Sequence, residues 1–475
     1  MSRSPLWLAL TILALAPTLG PAQRPPALPD TTRLRLGVPN GFSLAAVGDL
    51  IQTHPLSPAR VPGLAEVIGR LSGATVAFGN FESTAIDIRT FRGYPEAENG
   101  GLWLRSEPEV VADLKAMGFD LVARANNHPT DWGVEGMRET DRRLDRAGIV
   151  HAGTGETRSA ARAARYLATR EGRVAIVSMA SSFTASSPAM NRLNEAPGRP
   201  GLNALRVTER VLVSPEMLRA LRPLHAAQPK GSFQRADSTS TDLELFGVRY
   251  RSSPGIKDEV AFSYDADSID VRENLAAIRQ GKEHADFLIA TIHAHEPGNW
   301  SEGPPDFLPG LAHAAIDAGA DAFVGHGPHQ LRGIEIYRGR PIFYSLGNFL
   351  FQVSSVGPIP MDLYEQLKRD PKTTTDAELH EWFRKRFFGG PDGAVWYRSV
   401  VAVSSYQDGA VSEIRLYPVE LGFNDESNRG APRPAPPEVA QEILAMLTRL
   451  SQPFGTTIAV EGNVGIIRVP RPTPP

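Results

Sequence analysis

The sequence predicts an α/β fold with largely parallel strands, completed by antiparallel additions into a mixed sheet or a two-sheet sandwich. Three observations carry that expectation. Short apolar runs alternate with helical connections through the first half, two hairpins follow in the second, and polar side chains gather where the apolar runs end. Helical crossovers return strands in parallel and cover the faces of a sheet.

The elements follow in order. "FSLAAVGDL" reads as a strand, "VPGLAEVIGRLSG" as a helix and "ATVAFGNFE" as the next strand. Ser106 and Glu109 have capping-box spacing at the start of a helix that Gly118 ends. The strand "FDLVARAN", a helix over 134–147, the strand "IVHAG", an Ala/Arg-rich helix and the strand "RVAIVSMAS" come next. From Ser181 to about Gly247 the chain is rich in Ser, Pro, Gly and charge, with one helix expected at "SPEMLRALRPLHAAQ". That stretch reads as an insertion or cap. Order returns with a helix over 271–280, the strand "DFLIATIHAH", the helix "LPGLAHAAIDAG" and the strand "DAFVGHG". Hairpins turning at Arg338–Arg340 and Gln407–Gly409 follow. The expected division is a signal peptide over 1–22, a Pro-rich linker over 23–41, the main domain over 42–425 with its insertion near 182–260, and a C-terminal appendage over 426–475 packed on the core.

Composition excludes extremes. With 41% hydrophobic and 22% charged residues in 475, the chain is neither disordered nor membrane-embedded. A formal net charge of −3 offers no basic field for nucleic acid. Arg3, the apolar run Leu6 to Ala16 and the small residues Gly20 and Ala22 make a signal peptide. Export after cleavage is therefore expected, with a membrane-associated, uncleaved signal anchor as the alternative; the run is shorter than the about 20 residues that span a bilayer. There is no cysteine, which rules out disulfides, lipid attachment at a lipobox and thiolate zinc sites.

The polar residues at the strand ends carry the chemistry. "AAVGD" delivers Asp49, "VAFGNFE" delivers Asn80 and Glu82, and "LVARANNH" delivers Asn127 and His128. "LIATIHAHE" delivers His293 and His295, and "DAFVGHGPH" delivers His326 and His329. The carboxyl ends of parallel strands line the ligand crevice of an open α/β sheet. Asp, Glu, Asn and His together suit one or two divalent ions such as Mn, Zn, Fe or Mg, and a pair of ions can clamp a phosphoryl group. Each residue also has a plainer reading. Asp49 can cap a turn, Asn80 and Asn127 can form turns, His128 can be a hydrogen-bonded core histidine, and Arg124 can pair with an acid instead of clamping an anion. His54, His151, His295 and His313 read as structural or surface residues. The plain readings must apply separately at five strand ends.

The succession "VGDL", "GNFES", "ANNHPTDWGVEGMRET", "HAGTG", "IHAHE" and "GHGPHQLRGIEIYRGRPIFYSLGNFLF" resembles the bacterial capsule synthesis proteins of CapA type, over Ser43 to Phe351. The resemblance implies a metallophosphoesterase-like (calcineurin-like) β-sandwich flanked by helices, with a dinuclear site, in capsule or poly-γ-glutamate synthesis. It implies metal ligands at Asp49, Asn80, Glu82, Asn127, His293, His326 and His329. A metal-dependent hydrolase is the leading expectation, with His128 as proton donor, Asp131 setting its tautomer and Arg124 steadying an anionic substrate. Its substrate would be an anionic polymer or phosphoester, and its partners the membrane capsule-synthesis machinery, not nucleic acid. A non-catalytic polymer-binding or export component is the alternative. Ile51 stands where such phosphoesterases place a histidine, Glu82 where they bridge ions with an aspartate, and Gly327 where the final motif often has another histidine.

Overall fold

The computed structural model describes residues 37–56, 60–96, 102–229, 238–257, 259–353, 357–388 and 390–470. The signal peptide and most of the expected linker lie outside these residues. Two sheets form the body. In the first, the strands run Ala459–Glu461, Val464–Arg468, Ala410–Glu420, Arg398–Gln407, Ser43–Ile51, Val76–Phe81, Leu121–Ala123 and Val150–Ala152 across the sheet, and Asn348–Phe351 adds to Ser43–Ile51. The second runs Ile334–Tyr337, Arg340–Phe343, Ala322–His326, Phe287–His293, Gly172–Ala180 and Arg165–Thr169. Helix-connected strands pair in parallel and hairpins pair antiparallel, so both sheets are mixed.

Side-chain alternation explains the layering. Along Val76–Phe81, Val76 and Phe78 face the second sheet, while Ala77 and Phe81 face outward. Along Phe287–His293, Phe287 and Ile289 face inward, and Leu288, Ala290 and Ile292 outward. A period of two sends alternate residues to opposite faces. The inner stripes of both sheets share one core, which the helix Pro437–Ser451 closes with Ile443, Leu444 and Leu447. Val67 and Leu71 of helix Leu64–Ser72, Leu114 of Val110–Ala116 and Leu144 of Gly133–Ala147 cover the first sheet's outer face. Ile278 of Ser268–Lys282 and Leu311 and Ala315 of Phe307–Asp317 cover the second's. The result is a helix–sheet–sheet–helix stack.

Three features differ from the sequence reading. The stretch beginning at Ser181 leads into a four-stranded sheet, built from Asp242–Leu245, Val248–Ser252, Val207–Val213 and Ala261–Ala266, with Val213, Leu218 and Leu243 as its small core. Two helices, Met361–Gln366 and Asp376–Phe388, lie between the two hairpins without having been expected. Ser106 does not cap the helix after it. Its hydroxyl donates to the Gln52 carbonyl and meets Ser83 Oγ at 2.7 Å, and the helix starts only at Val110 without a side-chain cap. Among the described residues no helix is long and apolar enough to cross a membrane.

Candidate metal centre

The inner stripes change character toward the carboxyl ends of their strands. Phe287 and Ile289 give way to Thr291 and His293, Ala322 and Val324 to His326, and Val76 and Phe78 to Asn80. The same backbone that packs the core thus delivers polar groups at one end of it. Asp49 needs a further device. Leu44 and Ala46 face inward and Ala45 and Val47 outward, yet Leu50 packs outward with Val47. The pairing with Val76–Phe81 shifts register between Ala46 and Asp49, and this bulge returns Asp49 to the inner face. Gly48 makes room for it, since a Cβ there would overlap the Gly347 carbonyl oxygen, which accepts from Asp49 N–H at 2.9 Å.

Three groups of donor atoms result, each with all atoms within 4.8 Å of one another: Asp49, His293 and His326; Glu82, His293 and His295; and Asp49, Glu82 and His329. Asp49 and Glu82 have no solvent exposure, and among the described residues no Lys or Arg pairs with either. Burial would raise the Asp49 carboxyl, but the hydrogen bond and charge of His329, with His326 and Asn80, hold it below the usual range. Glu82 is pushed well above that range by burial and the adjacent Asp49. Burial and neighbouring imidazoles keep His293 neutral, far below its ordinary value. Burial also lowers His295 to about 3 and His326, against the pull of Asp49, to about 4. Neutral imidazoles offer lone pairs.

The donor set fits a divalent ion. Glu82 Oε1 is buried and accepts no hydrogen bond, with His293 Nε2, His128 Nε2 and His329 Nε2 at 3.6, 3.8 and 3.9 Å. His293 presents Nδ1 to His326 Nδ1 and Nε2 to His295 Nε2, each at 3.0 Å. A neutral ring has one N–H, so one of its nitrogens carries a lone pair, and Nδ1 also lies 3.2 Å from the Asn80 amide nitrogen. A buried carboxylate oxygen among imidazole nitrogens suits Mn, Zn or Fe. His329 is held at φ 58°, a conformation costing about 1 kcal/mol or more for a non-glycine residue, and its Nδ1 lies 3.2 Å from Asp49 and 2.9 Å from Asn348.

The remaining expected residues divide. His128 Nδ1 lies 2.7 Å from Asp131 Oδ2, which also accepts from Leu104 N–H at 2.7 Å. The carboxylate therefore accepts a hydrogen bond from Nδ1–H and leaves Nε2 facing the cluster, 3.0 Å from the Asn127 amide. Asn80 gives its amide nitrogen to Asp49 at 2.8 Å and Glu82 at 3.4 Å, while its oxygen accepts from Asn126. In this arrangement it orients the carboxylates, and its oxygen is engaged elsewhere. Arg124 is not a clamp. It is fully buried, donates to the carbonyls of Phe81 and Ser83, and lies 3.5 Å from Asp141. A group without exposure does not reach a substrate, so Arg124 braces the Glu82 turn from behind. His295, read as structural or surface, joins the cluster instead, with Asn299 fixing its Nδ1 at 2.6 Å. Asn126 and Asn348 were also missed. The His-X-His spacing of 293 and 295 and the asparagine in "SLGNF" were the available signals.

The cluster lies beneath a cleft of about 660 Å³ whose floor is lined by Asn127, His128, His295 and His329. Among proteins of known sequence, the family model for the bacterial capsule synthesis protein PGA_cap matches residues 43–353. The uncharacterised protein y4sH of Sinorhizobium fredii is 49% identical over 442 residues, 91% of this chain and 94% of its own length. The capsule biosynthesis protein CapA of Bacillus anthracis is 26% identical over 282 residues, 59% of this chain and 51% of its own. The PGA biosynthesis protein CapA of Bacillus subtilis is 28% identical over 280 residues, covering 58% and 52%.

Proposed function

The chain belongs to the bacterial capsule synthesis protein family PGA_cap, and from that premise we propose that it is an exported metal-dependent hydrolase of metallophosphoesterase type, acting in the synthesis or processing of a capsule polymer. One observation carries the chemistry: two fully buried carboxylates and four imidazoles meet, among the described residues, without a Lys or Arg to balance them. Burying two adjacent carboxyl groups among imidazoles costs free energy that apolar side chains of the same size would not, so packing alone does not explain the cluster. The helix–sheet–sheet–helix stack, with donors from both sheets meeting at its rim, supports the metallophosphoesterase reading.

Asp49, His293 and His326 would hold one ion, and Asp49, Glu82 and His329 a second, with Asn80 and Asn348 orienting the donors. A divalent ion there supplies Lewis-acid polarisation of a phosphoryl oxygen and makes water more acidic. His128 acts on the cleft side. Its Nδ1–H donates to Asp131, so Nε2 is the atom that exchanges a proton with an attacking or departing oxygen. Asp131 stabilises the imidazolium formed when Nε2 is protonated.

The test uses the full chain titrated with Mn or Zn and assayed on a chromogenic phosphodiester. His128→Ala should lower kcat by about 10²–10⁴-fold with metal affinity unchanged. Unchanged turnover rejects the proton-transfer role. A non-catalytic export component remains the second reading because Ile51 occupies a position where a histidine ligand is expected, and saturable metal binding without turnover on any phosphoester favours it. Export is tested separately by sequencing the mature N-terminus.

A further inference from the structure

The walls of the cleft do not suit a polyanion. Among the described residues none of its lining side chains is Lys, Arg, Asp or Glu. Above the histidine floor the wall is Leu363, Leu367, Phe383, Phe387, Trp396 and Trp300. The nearby cations are turned to other tasks. Arg384 and Lys385 pair with Glu381 on their own helix at 2.7 and 3.3 Å, and Arg369 lies over the Trp382 ring. Arg386 lies 5.7 Å from the Phe387 ring and does not line the cleft.

The apolar wall is built and left open. Trp300 and Trp396 rings stand 5.2 Å apart, Phe383 and Phe387 rings 4.5 Å apart, and Phe388 and Trp396 rings 4.9 Å apart. Phe387 is nevertheless 46% exposed and Trp300 54% exposed. Contiguous exposed aromatics that adjoin a polar floor mark a ligand groove. A binder of poly-γ-glutamate would need cations along this path, because each carboxylate brought into an apolar trough loses its hydration.

We propose that the cleft takes an amphiphilic phosphoester: an anionic head at the histidine floor, above the buried carboxylates, and an unbranched alkyl tail along the trough built by residues 361–388. The head rests on the hydrolase reading above; the tail rests on the walls alone. Each methylene buried in such a trough strengthens binding by about fourfold. The helices Met361–Gln366 and Asp376–Phe388 are therefore the specificity element of the site.

Calorimetric titration of the full chain in Mn²⁺ with butyl, hexyl and octyl phosphate, inorganic phosphate and penta-γ-glutamate tests this. Affinity should rise on the order of 10²-fold across the four methylenes from butyl to octyl phosphate. Phe387→Ser and Leu367→Ser, both at partly exposed positions, should each reduce that gain while leaving inorganic phosphate binding unchanged. The gain is a ratio between ligands with one head group, so it is blind to how tightly the head is held, and Mn²⁺ affinity measured alone tests the hydrolase reading separately. Equal affinity for butyl and octyl phosphate, a gain untouched by both substitutions, or penta-γ-glutamate binding tighter than octyl phosphate overturns the proposal.

Discussion

Glu82 shows at the residue scale what the cluster costs the fold. Its carboxyl is buried beside Asp49 and has one oxygen without a hydrogen bond. A neutral isostere removes that cost and also removes a ligand. Glu82→Gln is expected to stabilise the metal-free protein by about 1–3 kcal/mol and to shrink the rise in melting temperature on adding Mn²⁺. Calorimetric melts with and without metal check both signs; a destabilised metal-free variant contradicts the reading. Much of this was legible in the sequence, because "LIATIH" and "DAFVGH" end inner stripes whose period of two is visible in the letters. The aim of Asp49 was not. "SLAAVGDLI" is apolar on both faces, so nothing in it reveals the phase change at the bulge. Arg124 sits among the site residues in sequence, and only its burial assigns it to the Phe81 and Ser83 carbonyls.

At the element scale, the helix Ser268–Lys282 anchors the inserted sheet to the body through one acid. Asp270 receives Arg206 Nε at 2.6 Å and Nη2 at 3.0 Å, and Arg162 Nη2 at 3.2 Å. Burial would raise this carboxyl, but the two arginines outweigh it and hold its pKa below the ordinary value of 3.8. A lowered folded pKa means stability that is present above about pH 4 and fades as pH falls through the folded value. Arg206 is half exposed, so its share is discounted for solvent screening. Asp270→Asn should cost about 2 kcal/mol at pH 7 and less at pH 3, read from denaturant midpoints at the two pH values. An equal cost at both contradicts the ion-pair account. The inserted strands escaped the sequence reading for a related reason. "VTERVLV" and "VRYRS" carry charge on half-exposed faces, which resembles loop composition as much as strand. The helices at 361–388 were hidden differently. "EWFRKRFF" mixes aromatics and charges around the helix because one side faces the open cleft.

At the scale of the whole molecule, the donors come from both sheets. Asp49, Asn80 and Glu82 belong to the first sheet and its continuation, while His293, His326 and His329 belong to the second and its exit. An ion held there would pin together the two faces that share the core. Parallel strands joined by helices were readable from the alternation of patterns. A two-sheet sandwich was among the expectations, but the place of the division was not readable, because sequence order does not say that Gly172–Ala180 starts a new sheet after Val150–Ala152 ends the old one. The direct measurement is a calorimetric titration of Mn²⁺ into the chelator-treated full chain, repeated on Asp49→Asn and His293→Ala variants whose fold is verified by circular dichroism. Saturable binding in the parent and its loss in each variant, one from each sheet, is the predicted result. No binding in the parent, or binding that survives both substitutions, contradicts the account.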